Sequence, residues 1–142
     1  MRIYADTSFL LSLYSLDGNS AAAAHAMEAF AGERFISILG ELEVVNALGL
    51  RVFRNEITMA QAQSSLRDFE KDLHDGVFQL RGLPDPVFDR ARELSRRTTS
   101  KLGTRTADLL HVATALELGV EYLFSFDKRQ RGLAKVVRLR LN

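Results

Sequence analysis

The sequence predicts an α/β fold: a single-domain α/β/α sandwich with a central parallel sheet of about five strands. Three observations carry this. Short apolar segments alternate with longer segments of helical periodicity along the whole chain. At 142 residues, with no linker, repeat or low-complexity tract, one domain over residues 1–142 is expected. Two of the apolar segments run directly into an aspartate and then a helix start, at Asp6 and at Asp127.

The strand candidates are residues 2–5, 35–37, 77–80, 121–125 and 136–139. Between the first two, Asn19 or Ser20 is placed to cap a helix with Ala23, Met27 and Phe30 on one face. Leu42, Val45, Leu48, Gly49 and Val52 form the apolar stripe of the next helix. Thr58 and Gln61 make a capping box ahead of Ala62, Leu66, Phe69 and Leu73. Asp85 followed by Pro86 reads as an N-cap with proline in the first turn, and Val87, Ala91 and Leu94 continue that helix. Residues 105–118 are apolar on nearly every side and stop at Gly119, as a buried helix would. Helices between strands imply parallel pairing, and such sheets bind ligands beyond the carboxyl ends of their strands.

Composition narrows the function classes. There is no Cys, which excludes disulfides and thiolate metal sites. No apolar run reaches the roughly 18 residues of a membrane span, and no signal peptide is evident, so a cytoplasmic protein without a membrane partner is expected. The net charge of +1 hides an asymmetry: residues 1–80 hold 6 basic and 11 acidic side chains, residues 81–142 hold 13 and 7. A basic second half fits a polyanion partner, although a solvated helix face and a basic tail would look the same. There is no Gly-rich phosphate loop with lysine, no nucleophile elbow and no DxD at Asp6, which counts against nucleoside triphosphatases, serine hydrolases and aspartate-nucleophile phosphatases.

Four acids are out of place for an ordinary core. Asp6 and Asp127 mark strand ends, Asp108 interrupts the most apolar helix, and Glu43 lies inside an amphipathic one. Each has a bland alternative: Asp6 and Asp127 as helix caps, Asp108 as a partner of the helix dipole, Glu43 as a surface residue beside Glu41. Together they would repel one another unless protonated or bound to a cation, and an all-oxygen set selects a hard ion such as Mg²⁺ or Mn²⁺. Thr7, Ser8 and Ser125 carry hydroxyls beside these acids, able to orient carboxylates or waters, or merely to satisfy helix ends. His111, three residues after Asp108, is expected to be a hydrogen-bonded core residue.

The segments "IYADTSFLL", "ELEVVNAL", "RTADLLHVATALELG" and "LFSFDKRQ", in this order and in a chain of this length, resemble the PIN domain, and most of all the VapC-type toxins of bacterial toxin–antitoxin pairs. The resemblance implies that Asp6, Glu43, Asp108 and Asp127 form a metal site, with Asp6 and Asp108 as direct ligands and Asp127 in a supporting role. The E-x-x-x-A-L spacing favours Glu43 over Glu41. It further implies a Mg²⁺- or Mn²⁺-dependent endoribonuclease, an RNA substrate, a small antitoxin partner and a homodimer. Arg105, Lys128 and Arg129, nearest the acids, are the candidates to hold the RNA backbone. Two alternatives stand beside this: a PIN ribonuclease of RNA processing without an antitoxin, and a non-catalytic RNA- or protein-binding module.

Overall fold

The computed structural model describes all 142 residues. In chain order the elements are β1 (Arg2–Ala5), α1 (Thr7–Tyr14), α2 (Ser20–Ala29), β2 (Glu33–Ser37), α3 (Ile38–Phe53), α4 (Met59–His74), β3 (Gln79–Arg81), α5 (Val87–Leu102), α6 (Thr106–Glu117), β4 (Tyr122–Phe124), α7 (Lys128–Val136) and β5 (Arg140–Leu141). The five strands form one parallel sheet in the order β3-β2-β1-β4-β5. The chain therefore winds outward from β1 in one direction and later returns to its other side. That reversal puts a topological switch point between β1 and β4, where a crevice opens beyond the carboxyl ends of the strands.

Alternation along the strands sorts the core into two layers. Tyr4, Phe35 and Leu123 face α5, α6 and α7, packing on Val87, Leu94, Val112 and Leu133. Ile3, Ala5, Ile36 and Phe124 face the other way and pack on Phe9, Leu10, Val44, Leu48 and Phe69 of α1, α3 and α4. Tyr4 lies opposite Phe35 on one side and Leu123 on the other. No helix is long and apolar enough to cross a membrane.

Several local expectations need correction. Residues 136–139 are not a strand: α7 runs through Val136, Arg138 turns the chain with a left-handed φ of 64°, and pairing begins only at Arg140. The Val136-Val137 pair has β-propensity, but the amphipathic helix before it captures Val136 and leaves it half exposed. The third strand is Gln79–Arg81 rather than 77–80, with Phe78 buried just ahead of it. The apolar stripe of α3 is rotated from the one expected. Gly40, Val44 and Leu48 are buried, whereas Leu42 and Val45 are 66% and 45% exposed. This rotation carries Glu43 to the inward edge of the helix. Helix α5 begins at Val87 with Pro86 at the N-cap position, so Asp85 does not cap it, and Asn19 precedes α2 without a side-chain cap hydrogen bond. The Thr58–Gln61 capping box is formed in full.

Gly32 enters β2 with a φ of 155°, and a Cβ there would lie 2.3 Å from the Met1 carbonyl oxygen. That oxygen accepts the Glu33 N–H at 3.0 Å, so the glycine permits the first rung between β1 and β2. Gly32→Ala is expected to destabilise the protein by about 1–3 kcal/mol, measured by urea unfolding with an unchanged m-value.

Candidate acidic active site

Three helices, α1, α6 and α7, begin at the carboxyl edge of the sheet, and an aspartate serves the N-terminus of each. Asp6 Oδ1 accepts the Phe9 N–H at 2.9 Å. Asp127 Oδ1 accepts the Gln130 N–H at 3.0 Å. Asp108 Oδ2 accepts the Arg105 N–H at 2.8 Å. The capping explanation of these acids is thus correct as far as it goes, since unsatisfied N–H groups and the positive helix end both favour a carboxylate there. A cap is ordinarily wet, however. Asp6 is 0% exposed and Asp108 1%, which a capping role does not require.

Asp6 is solvated by the protein. Besides the Phe9 N–H it accepts from Ser8 Oγ at 2.7 Å and from Ser125 Oγ in a short hydrogen bond. Ser8 Oγ in turn accepts the N–H groups of Phe126 and Asp127 at 2.9 and 3.2 Å, which ties the exit of β4 to α1. Burial nevertheless pushes the Asp6 carboxyl above the ordinary range, against the opposing pull of Ser125, Ser8, the Phe9 amide and His111.

Glu43 reaches the crevice from α3. Its Oε1 accepts from Thr7 Oγ1 at 2.8 Å and forms a short hydrogen bond with His111 Nε2. Burial alone would raise the Glu43 carboxyl, but the interactions with His111, then Thr7 and Arg105, outweigh it and hold it below the ordinary range. Glu41 takes no part in these contacts.

Arg105 closes the arrangement. Its guanidinium meets Asp108 at 3.3 Å and 3.4 Å and Asp127 at 3.3 Å, with the side chain 61% exposed. Lys128 and Arg129 stand exposed in the first turn of α7, just beyond Asp127. Gln130, which the sequence reading passed over, is buried. Its Nε2 lies 3.4 Å from Asp108 Oδ1, and its Oε1 has no hydrogen-bond partner. Also passed over were Tyr4 and Ser37; a tyrosine in a strand otherwise apolar was their only signal.

The donor set suits a hard divalent cation: four carboxylates, all oxygen, plus the unpartnered amide oxygen of Gln130. As placed, no three His, Asp or Glu side chains are arranged to hold a metal ion. The reason is visible in the contacts, since Asp6 is turned to its serines and Asp108 and Asp127 share the Arg105 guanidinium.

Residues 3–136 match the PIN domain family. The chain belongs to it. Among solved structures, the PIN domain resembles VapC20 of Mycobacterium tuberculosis, described as a sarcin-ricin loop cleaving toxin, with TM-score 0.71 and 16% identity over 92% of this chain and 94% of that one. It also resembles VapBC2 of Rickettsia felis, solved with a DNA fragment from its promoter (TM-score 0.69, 16% identity, 100% and 98% coverage). A toxin–antitoxin complex from Klebsiella pneumoniae gives TM-score 0.61, 18% identity and coverage of 90% and 88%. At these identities the likeness is one of fold. No curated protein sequence matches.

The raised Asp6 carboxyl makes a pH prediction. A group whose folded-state pKa exceeds its unfolded value favours the fold while protonated, and that contribution is lost as pH rises from the ordinary carboxylate range through the raised value. Asparagine caps about as well and carries no charge. In EDTA, Asp6→Asn is therefore expected to melt above the parent protein at neutral pH, with the gap shrinking as pH is lowered through the acid range. Paired thermal melts across pH check this, and a gap that widens on acidification would contradict it.

Proposed function

We propose that this PIN domain is a divalent-metal-dependent endoribonuclease that hydrolyses RNA phosphodiester bonds, and that it is the toxin of a VapC-type toxin–antitoxin pair. The observation that carries the reading is the gathering of Asp6, Asp108 and Asp127 at three helix N-termini beside the switch point, with Glu43 held at its edge by Thr7 and His111. Two structural relatives, a sarcin-ricin loop cleaving toxin and a toxin–antitoxin complex, support the same reading.

Asp6, Asp108, Asp127 and Glu43 would hold the ion, Mg²⁺ or Mn²⁺. When bound, it would supply positive charge to the attacking water and to the departing oxygen. Glu43, whose Oε2 takes no hydrogen bond from the protein, is placed to take a proton from that water, although as a weak base, since its carboxyl is held below the ordinary range. Thr7, Ser8 and Ser125 fix the carboxylates of Glu43 and Asp6. Arg105, Lys128 and Arg129 line the approach and would grip RNA phosphates. Arg105 would have two tasks in this scheme: it pairs with Asp108 and Asp127 here, and it would be free to hold a phosphate if an ion neutralised those carboxylates.

For partners, a cavity of about 730 Å³ lined by Ala22, Ala26, Phe30, Tyr122 and Phe124 ends at Lys128, next to Asp127. It would suit an apolar segment of an antitoxin. Exposed Ile38, Leu42 and Val45 share one face of α3 and offer a surface for a homodimer.

In Mg²⁺ or Mn²⁺, Asp6→Asn and Asp108→Asn are expected to fold but to lose RNA cleavage by on the order of 100-fold or more. Glu41→Gln is expected to stay within about twofold. Millimolar Mn²⁺ is expected to raise the melting temperature over EDTA by mass action; equal melting temperatures would count against the reading. Arg105→Ala is expected to bind Mn²⁺ at least as tightly as the parent by calorimetry, yet to bind a short RNA more weakly and with a shallower salt dependence.

A further inference from the structure

His111 sits one turn beyond Asp108 on α6, with its side chain 1% exposed. It belongs to an unbroken chain of buried polar groups. Ser37 Oγ accepts the Gly40 N–H at 3.1 Å as the N-cap of α3, and it lies 2.7 Å from the Tyr4 hydroxyl. That hydroxyl lies 2.7 Å from His111 Nδ1, and His111 Nε2 meets Glu43 Oε1. A carboxylate can only accept, so Nε2 carries the proton. In the Nε2–H tautomer Nδ1 is the acceptor, so the Tyr4 O–H donates to it and the Ser37 O–H donates to Tyr4. The donors run in one direction from the N-cap of α3 to the carboxylate on the same helix.

Two features say that this chain serves the carboxylate rather than the core. Its termination is asymmetric: His111 Nε2 and Thr7 Oγ1 both bind Oε1 of Glu43, while Oε2 takes no hydrogen bond from the protein. The burial is the second feature: a leucine at 111 would fill the same space without placing an imidazole between fully buried Tyr4 and partly exposed Glu43.

We propose that His111 is the positioning residue of Glu43, anchoring Oε1 together with Thr7 so that Glu43 meets the ion or its water through Oε2 alone. Tyr4 and Ser37 set the imidazole tautomer. The inference rests on the metal-ribonuclease reading for what Oε2 does, and not for the anchoring itself.

Two measurements on the metal-free protein test it. Multiple-bond ¹H–¹⁵N spectra of the His111 ring are expected to report the Nε2–H tautomer, and Tyr4→Phe is expected to shift the Nδ1 signal. The Nδ1–H tautomer would overturn the proposal. Calorimetric titration with Mn²⁺ is expected to show affinity reduced about 10- to 100-fold in His111→Leu. His111→Gln, which can place an amide N–H near Nε2, should recover much of it, and Tyr4→Phe should fall between. A purely structural histidine would lower the melting temperature of His111→Leu and leave Mn²⁺ affinity unchanged, which would overturn the proposal while the parent protein still bound the ion. If His111→Leu fails to fold, Tyr4→Phe decides in its place: unchanged Mn²⁺ affinity there overturns the proposal. Failure of the parent to bind Mn²⁺ at all would sink the metal reading, and the ring spectra would then decide the anchoring alone.

Discussion

The buried carboxylate of Asp6 is the constraint around which the rest of the molecule is arranged. It ends the central strand, at the point where the sheet reverses its winding, and it is out of contact with water. A charge there is tolerable only if the protein supplies the hydrogen bonds that water would have made. It does so with Ser8, Ser125 and the Phe9 amide. Those donors come from α1 and from the exit of β4, so solvating Asp6 also fixes where β4 ends. Ser8 holds the backbone of Phe126 and Asp127, which places the second strand-end acid next to the first.

The remaining acids follow from the same geometry. Three helix N-termini meeting in one crevice would concentrate positive partial charge, and carboxylates answer it. Three carboxylates in turn concentrate negative charge, and Arg105 partly answers that. Because the guanidinium is well exposed, its net contribution to stability is small, as for other solvent-screened pairs. A contact that neutralises two carboxylates yet can be displaced at little cost would suit the proposed site, which would have to open for an ion and a phosphate. The basic second half of the chain extends this field outward from α7.

Much of this was legible in the sequence because it follows from periodicity and punctuation. The alternation of strand and helix, the Thr58 capping box, the stop at Gly119 and the strand-end aspartates are all local signals. The errors lie where a tertiary contact overrides a local one. Val136 and Val137 read as a strand, but α7 continues through Val136 because Leu133 and Ala134 are already seated in the core. The expected stripe on α3 runs through Leu42, Val45, Leu48, Gly49 and Val52; Leu48 is buried, but Leu42 and Val45 are exposed, and the helix turns so that Val44 is buried and Glu43 meets His111. No spacing rule within α3 contains that rotation, because the groups that fix it lie elsewhere in the chain: the core that buries Val44 and Leu48, and a histidine 68 residues from Glu43. Tyr4, Ser37 and Gln130 escaped notice for the same reason, since each acquires its role only from a partner on another element.

Stability and chemistry pull in opposite directions across this crevice. The ionised form of Asp6 is disfavoured by burial, whereas Glu43 at the rim is held ionised by its neighbours. The difference comes from what each carboxylate faces. Asp6 has neutral hydroxyl and amide donors as its hydrogen-bond partners, which stabilise a charge less than a cation would. Glu43 has an imidazole, a hydroxyl and the field of Arg105. A divalent ion placed between them would reverse the balance at Asp6, because it favours the ionised form of every ligand it touches. The fold therefore carries a disfavoured charge at Asp6, where a cation would relieve it, and a favoured one at Glu43 on the rim.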